Sequence, residues 1–261
     1  MSTSAPLVEL RDIRKTFGAV QALQGASLTV APGEVMGLVG DNGAGKSTLM
    51  KVLTGVHRPT DGAIRLEGRD VSFETPSDSR AAGIEMIYQN LALAPNLDVV
   101  ANVFLGREIR KKGVLGMRMA LDEDEMERRT KQLLDDLKIH IKSVRLLVEK
   151  MSGGQQQAVA IARAVAFKAK LVIMDEPTAA LAVKEVGKVL DIIRDLKRNG
   201  VAVIIISHRL QDIFQVADKI TVMQSGRTVA ERRTSETDMD EIVRFIVGGA
   251  RDDLGAIAGG R

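Results

Sequence analysis

The sequence contains no cysteine. Disulfides, thiolate metal sites and thiol chemistry are therefore excluded. A long hydrophobic run is missing too. The longest apolar stretches, such as Val201 to Ile206, fall far short of the roughly 20 residues that cross a bilayer, so any membrane role has to come through partners. Met1 to Pro6 is small and polar and lacks the charged-then-apolar pattern of a secretory leader. Charge of one sign is not in excess: 37 Lys and Arg nearly balance 34 Asp and Glu, leaving +3. A nucleic-acid footprint needs its basic residues clustered. The densest group here, Arg107, Arg110, Lys111 and Lys112, is short and reads as a solvated loop. No nucleic-acid partner is expected. No internal repeat or low-complexity tract is visible.

What is present suits a well-packed core. The chain has 261 residues, 45% of them hydrophobic. That length fits one large domain, or a domain with a subdomain. Residues 7–39 read as strands, with Ala31-Pro32-Gly33-Glu34 as a turn. Val35 to Val39 is a buried strand ending at Gly40, and Ser47 to Gly55 reads as a helix. Ala63 to Leu66 follows the turn Pro59-Thr60-Asp61-Gly62 as a strand. Residues 90–150 change character. Asp122 and Glu125 have the spacing of a capping box, and Met126, Leu133, Leu134 and Leu137 recur at helical spacing. The stretch of about 90–165 is expected to be an inserted helical subdomain. A helix is expected over 155–168, a strand over Leu171 to Met174, and an amphipathic helix from Lys184 to Arg198 that stops at Asn199-Gly200. Val201 to Ile206 is another buried strand. Ile220 to Met223 and Thr228 to Ala230 make a hairpin about Gln224-Ser225-Gly226, and Asp238 to Val247 a closing helix. Residues 248–261 read as a frayed tail. Buried strands alternating with helices give an α/β fold with a mainly parallel sheet. Ligands of such sheets bind at the carboxyl ends of the strands.

Gly40-Asp41-Asn42-Gly43-Ala44-Gly45-Lys46-Ser47 matches G-x-x-x-x-G-K-[ST] in full. Glycines let backbone N–H groups curl toward phosphates with no Cβ in the way. The helix that starts near Ser47 adds its positive end. Lys46 brings a point charge to the β- and γ-phosphates. Ser47 and Thr48 offer hydroxyls, and Ser47 stands where a Mg²⁺ ligand belongs. A strand before the loop and a helix after it complete the pattern.

Leu171 to Met174 runs into two adjacent acids. Asp175 is the candidate for holding Mg²⁺. Glu176 is the candidate general base for an attacking water. Alternation along the strand sends their side chains in different directions.

Further motifs carry a family resemblance. Ser152-Gly153-Gly154-Gln155, preceded by Met151 in place of the usual Leu, resembles the signature of the ATP-binding-cassette (ABC) ATPases. Gln89, after Tyr88, looks like the family's Q-loop glutamine. His208, in Ile206-Ser207-His208-Arg209, looks like its switch histidine, and Phe17 stands where the family places an aromatic against adenine. The resemblance covers residues 7 to about 247. It implies a P-loop NTPase fold of ABC type, with an antiparallel β subdomain and an inserted helical one, that binds ATP and Mg²⁺. It also implies roles for single residues. Gln89 would approach Mg²⁺ and link the site to a membrane partner. His208 would contact the γ-phosphate. Ser152, Gly153 and Gly154 would face the γ-phosphate of a second copy in a homodimer. The logic is visible locally, since a helix N-terminus suits an anion.

The family's Ser-Ala-Leu-Asp loop reads Ala179-Ala180-Leu181-Ala182 here. An acid that helps couple the two ATP sites is thus absent at Ala182. Asp41 to Gly45, Tyr88 to Leu93 and Pro177 to Leu181 resemble the ATPases of bacterial monosaccharide importers, the ribose, xylose and fructose group, and the fructose-importer subunit most. The implied partners are transmembrane permease subunits and, indirectly, a secreted or periplasmic sugar-binding protein. The implied place is the cytoplasmic face of the bacterial inner membrane. The segment Gln89 to Val103, with Leu91, Leu93, Pro95 and Leu97 expected to be exposed, would dock the permease. Other classes are alternatives: an ABC ATPase of another transport system, an ABC ATPase of DNA repair or translation, a P-loop small-molecule kinase, or a non-hydrolysing cassette.

Overall fold

The structure is a computed structural model that describes residues 5–111 and 120–248. The N-terminal stretch folds as β1 (Val8–Phe17), β2 (Val20–Val30) and β3 (Val35–Val39). Together with β4 (Asp61–Leu66) and β5 (Arg69–Val71), the first two form an antiparallel sheet in the order β2-β1-β4-β5. Val8, Leu10 and Ile13 point into the core from β1. That spacing is one residue off strict alternation. The pairing shifts between Leu10 and Ile13, and Asp12 takes a positive φ of 48°. A bulge of this kind returns Ile13 to the buried face.

The second sheet has the order β10-β9-β3-β8-β7-β6. Its parallel members are β6 (Ile84–Ile87), β7 (Leu171–Asp175), β3, β8 (Ala202–Ile206) and β9 (Lys219–Gln224), while β10 (Arg227–Arg233) closes one edge antiparallel to β9. Every residue of β3 and β8 is buried. Covering both faces is what a parallel sheet requires, and the period of two sorts the side chains between two cores. Met36, Leu38, Ile173, Ile204 and Ile206 pack toward the first sheet and α1 (Lys46–Leu53). Val35, Val39, Val172, Met174, Val203 and Ile205 face the other helices. Burying each of the three isoleucines of β8 stabilises by about 1.5–3 kcal/mol. Gly37 marks a close approach: a Cβ there would lie 2.4 Å from Ile213 Cγ2 on α7 (Leu210–Val216).

The other helices are α2 (Pro76–Ala81), α3 (Val99–Phe104), α4 (Glu123–Asp136), α5 (Gly153–Val165), α6 (Val183–Arg198) and α8 (Met239–Gly248). The apolar residues of α3, α4 and α5 join the same core cluster as the sheet face they cover. Buried Asn102 pins the loop before α3. It donates to the carbonyls of Ala94, Leu97 and Asp98 and accepts from Ala94 N–H.

Several local expectations are modified. Asp122 caps α4 by accepting from Glu125 N–H at 3.3 Å. The return half of the capping box does not form. The Glu125 carboxylate binds Arg128 and Arg129 instead, which hold its pKa down at about 2. Arg107 is no solvated loop residue: it donates to Glu85 at 2.6 Å and lies over the Phe167 ring at 4.6 Å. Its long side chain gains more by stacking and pairing than by hydration. Arg110 and Lys111 are exposed, and Lys112 lies outside the described residues. Leu91 and Leu93 are half-buried against the core rather than open to solvent; Leu97 is also half-buried, whereas Pro95 and Asn96 are exposed. The expected tail lies outside the described residues from 249 onward. Among the described residues no helix is long and apolar enough to cross a membrane.

Candidate functional site

The site begins where β3 ends. Gly40 has φ +145°, and a Cβ on it would lie 2.1 Å from the carbonyl oxygen of Met223, so only glycine fits against β9. Gly45, with φ +99°, forms the N-cap of α1. The loop is fastened from both sides. Gly226 N–H, in the β9–β10 turn, donates to Ala44 O at 3.0 Å, and Gln24 N–H on β2 donates to Gly226 O at 2.8 Å. Lys46 Nζ folds back over the loop and donates to the carbonyls of Gly40 and Asp41 at 2.7 and 2.9 Å. Burial lowers its pKa, opposed by Glu176, Asp175 and Asp41 in that order. A half-buried ammonium on a glycine-rich loop that opens a helix at Gly45 suits an anion.

The facing wall is the end of β7. Asp175 pairs in register with Ile206 of β8, so the two strands end side by side. Burial raises the Asp175 pKa, Glu176 adds to the rise, and Lys46 opposes it. Glu176 sits at φ +52°. For a non-glycine residue this conformation costs about 1–3 kcal/mol, and such strain collects at functional sites. Its backbone N–H donates to Ile206 O at 2.8 Å, which turns the side chain toward the loop after β8. There the carboxylate accepts from His208 N–H at 3.1 Å and from Ser207 Oγ at 3.4 Å, and it meets His208 Nδ1 at 2.9 Å. Behind this loop, Thr178 Oγ1 donates to Asp212 Oδ2 at 2.6 Å, and Arg209 Nε approaches the same oxygen at 3.3 Å. Thr178 and Asp212 are both buried. The pair ties the segment after Glu176 to the helix that follows His208.

These residues enclose one cleft of about 580 Å³. Asn42, Gly43, Ala44, Gly45, Lys46, Ser47 and Thr48 line it with Gln89, Asp175, Glu176 and His208. Gly40 and Asp41 shape the loop from behind through their carbonyls. Phe17 is not brought to the wall. It ends β1 exposed, edge-on to His57 at 5.1 Å and under Lys15, and Val20 lines the cleft instead. Ser152, Gly154 and Gln155 are elsewhere, lining a separate cavity of about 410 Å³ beside α6. There Ser152 and Gln155 form a complete capping box: Ser152 N–H donates to Gln155 Oε1 at 3.0 Å and Gln155 N–H to Ser152 Oγ at 3.3 Å. Sequence reasoning missed Gln21, Ala22, Gln24, Ser225 and Gly226, which also line the cleft. No motif marks them, because they arrive from the other sheet and a distant turn. Thr178 and Asp212 were missed for the same reason.

No cage of three or more His, Cys, Asp or Glu side chains is found among the described residues. A Mg²⁺ bound with a nucleotide needs none, since phosphates and waters supply most of its oxygens. The exposed Ser47 hydroxyl and the Asp175 carboxylate are the hard oxygen donors that such an ion takes. A cation beside Asp175 would oppose the rise that burial gives its pKa.

A glycine loop on a parallel strand, a lysine over it and an acidic pair on the neighbouring wall define a P-loop nucleotide-binding protein. The chain belongs to the ABC transporter family, whose model matches residues 23–179. It is 47% identical to the xylose/arabinose import ATP-binding protein of Sulfolobus acidocaldarius, over 92% of this chain and 93% of that one. It is 44% identical to the fructose import ATP-binding protein of Rhizobium meliloti, over 97% and 98% of the two chains. The ribose import ATP-binding protein of Bacillus subtilis is 43% identical over 92% of this chain, which spans 48% of that longer relative. Among solved structures, an ATP-binding cassette of an ABC transporter in its ADP conformation superposes with a TM-score of 0.79 at 29% identity, covering 93% of this chain and 95% of that one.

Proposed function

We propose that this chain is the ATP-hydrolysing motor of an ABC importer for a monosaccharide. The carrying observation is that the phosphate loop, Gln89, Asp175, Glu176 and His208 all line one cleft. ATP phosphates take the N–H groups of the loop and the Lys46 ammonium, which turns from its two carbonyls toward them. Ser47 and Asp175, with Gln89 nearby, would hold Mg²⁺, which neutralises developing charge on the β- and γ-phosphates. Glu176 accepts a proton from the attacking water. His208 orients Glu176 through ring and backbone and faces the γ-phosphate. The import names of the relatives support the transport role. They support the sugar class, fructose included, without singling out one sugar. A sugar-binding protein outside the membrane would choose it.

Ser152 and Gly154 stand outside the cleft, and Gly153 lines a neighbouring hollow with Gln89 and Glu176; in this reading a second copy supplies all three to the γ-phosphate. Two-fold symmetry lets each subunit offer its α5 N-terminus to the other's γ-phosphate. The permease docks on the segment Gln89 to Val103, whose Ala92 and Val103 line a groove of about 300 Å³ with Tyr88, Leu105 and Phe167. In this reading the chain sits peripherally on the cytoplasmic face of the membrane. Crosslinks from Ala92 or Asn96 to a co-expressed permease test the docking site, and labels found only on distant surfaces count against it.

The motor reading is tested with Glu176→Gln. The variant keeps the shape and removes the base, so it should dimerise with ATP and Mg²⁺ but not with ADP, read by size exclusion with light scattering. A variant that stays monomeric at saturating ATP, with permease also present, overturns the reading.

A further inference from the structure

Glu185 lies in the first turn of α6 and reaches across to the N-terminus of α5. A Cβ placed on Gly154 would come within 2.8 Å of Glu185 Cβ and 3.0 Å of its carboxyl carbon. Only a glycine lets the carboxylate sit so close to that helix end. Glu185 packs against Gly154 and lines one cavity with Ser152 and Gly154, and its Oε2 accepts from Ala182 N–H at 3.4 Å. The nearby Ser152 hydroxyl foremost, with the backbone of Ala182 and Gly154, holds its carboxyl below the usual range. The reach back to Ala182 has a sequence cause. Ala182 is the N-cap of α6 and has no side chain to take a first-turn N–H, so only the return half of a capping box forms, from Ala182 N–H to the carboxylate three residues on.

The same donors are those assigned above to the γ-phosphate of a second copy. Two anions cannot share them at contact distance. We propose that Glu185 is an internal stand-in for that phosphate: it occupies the Ser152–Gly154 donors in the free subunit and is displaced when the ATP of a second copy arrives. Glu185 then sets how much ATP is needed to close the dimer. Lys188, one turn further along α6 and already acting on Glu185, receives the displaced carboxylate. The proposal rests on the composite-site reading of the dimer.

The test compares Glu185→Gln and Glu185→Ala, each added to Glu176→Gln, in ATP titrations with Mg²⁺ followed by light scattering. Removing the competing charge is expected to lower the ATP midpoint of dimerisation by about fivefold. A Glu185 that is only a structural cap predicts an unchanged or higher midpoint, and that result overturns the proposal. Glu185→Gln keeps size and acceptor oxygen, so it covers the case where Glu185→Ala folds poorly. A second measurement uses the nucleotide-free single variants. Amide hydrogen exchange over residues 152–155 should accelerate in Glu185→Ala, and unchanged protection also overturns the proposal. If Glu176→Gln fails to dimerise with Glu185 intact, the dimer reading falls, and exchange still decides whether Glu185 holds the donors.

Discussion

His208 binds Glu176 twice: its backbone N–H donates to Oε1 at 3.1 Å, and its ring Nδ1 lies 2.9 Å from the same oxygen. The imidazole is largely exposed while the carboxylate is mostly covered. With the proton on Nδ1 the ring donates to Glu176 and leaves Nε2 facing the cleft. The backbone bond survives removal of the ring, so Glu176 stays nearby but loses its orientation. His208→Ala is expected to lower kcat by about 10²-fold or more with a smaller effect on KM. Steady-state phosphate release measures both, and a change confined to KM would contradict the role.

Lys46 donates to the Gly40 and Asp41 carbonyls. Lys46→Ala therefore removes a phosphate charge partner and a clamp on the loop together. Hydrolysis should fall at least about 10²-fold, with weaker nucleotide binding. A phosphate-release rate within about twofold of wild type would overturn the assignment.

Burial holds Asp175 above the usual carboxylate range. The folded chain then binds a proton there more readily than the unfolded one, so stability falls as pH rises from the unfolded pKa to the raised folded pKa. Asp175→Asn should raise the melting temperature of the nucleotide-free protein near pH 7 and abolish hydrolysis. The gain should shrink as pH falls below the range of an unfolded aspartate. Calorimetry across pH checks this, and an equal gain at about pH 4 and pH 7 would show that charge is not its cause.

Ala182 opens α6 without a capping side chain. Ala182→Ser should stabilise the fold by about 1 kcal/mol, the usual worth of an N-cap. Ala182→Asp should gain less, because the Glu185 carboxylate already lies against the Ala182 N–H. The denaturant midpoint reports both, and a serine variant no more stable than the parent would rule out the capping account.

Local chemistry settled a great deal from the sequence alone. The glycines between Gly40 and Gly45, a lysine and two hydroxyls after them, and a β-branched run from Val201 to Ile206 each dictate their conformation within a few residues. Steric freedom, helix capping and the period of a strand are short-range effects. The acids at 175 and 176 were legible for the same reason, as the end of a buried strand. Tertiary structure decided what depends on distant partners. Arg107 became a packed residue because Glu85 and Phe167 meet it there. Gln24 and Gly226 entered the cleft because a turn of one sheet closes on a strand of the other. Thr178 found Asp212, and Glu185 found Ser152 and Gly154, across gaps that no periodicity spans. Such pairings follow from how whole elements pack, and packing is fixed by the sum of many buried contacts rather than by any local run of residues.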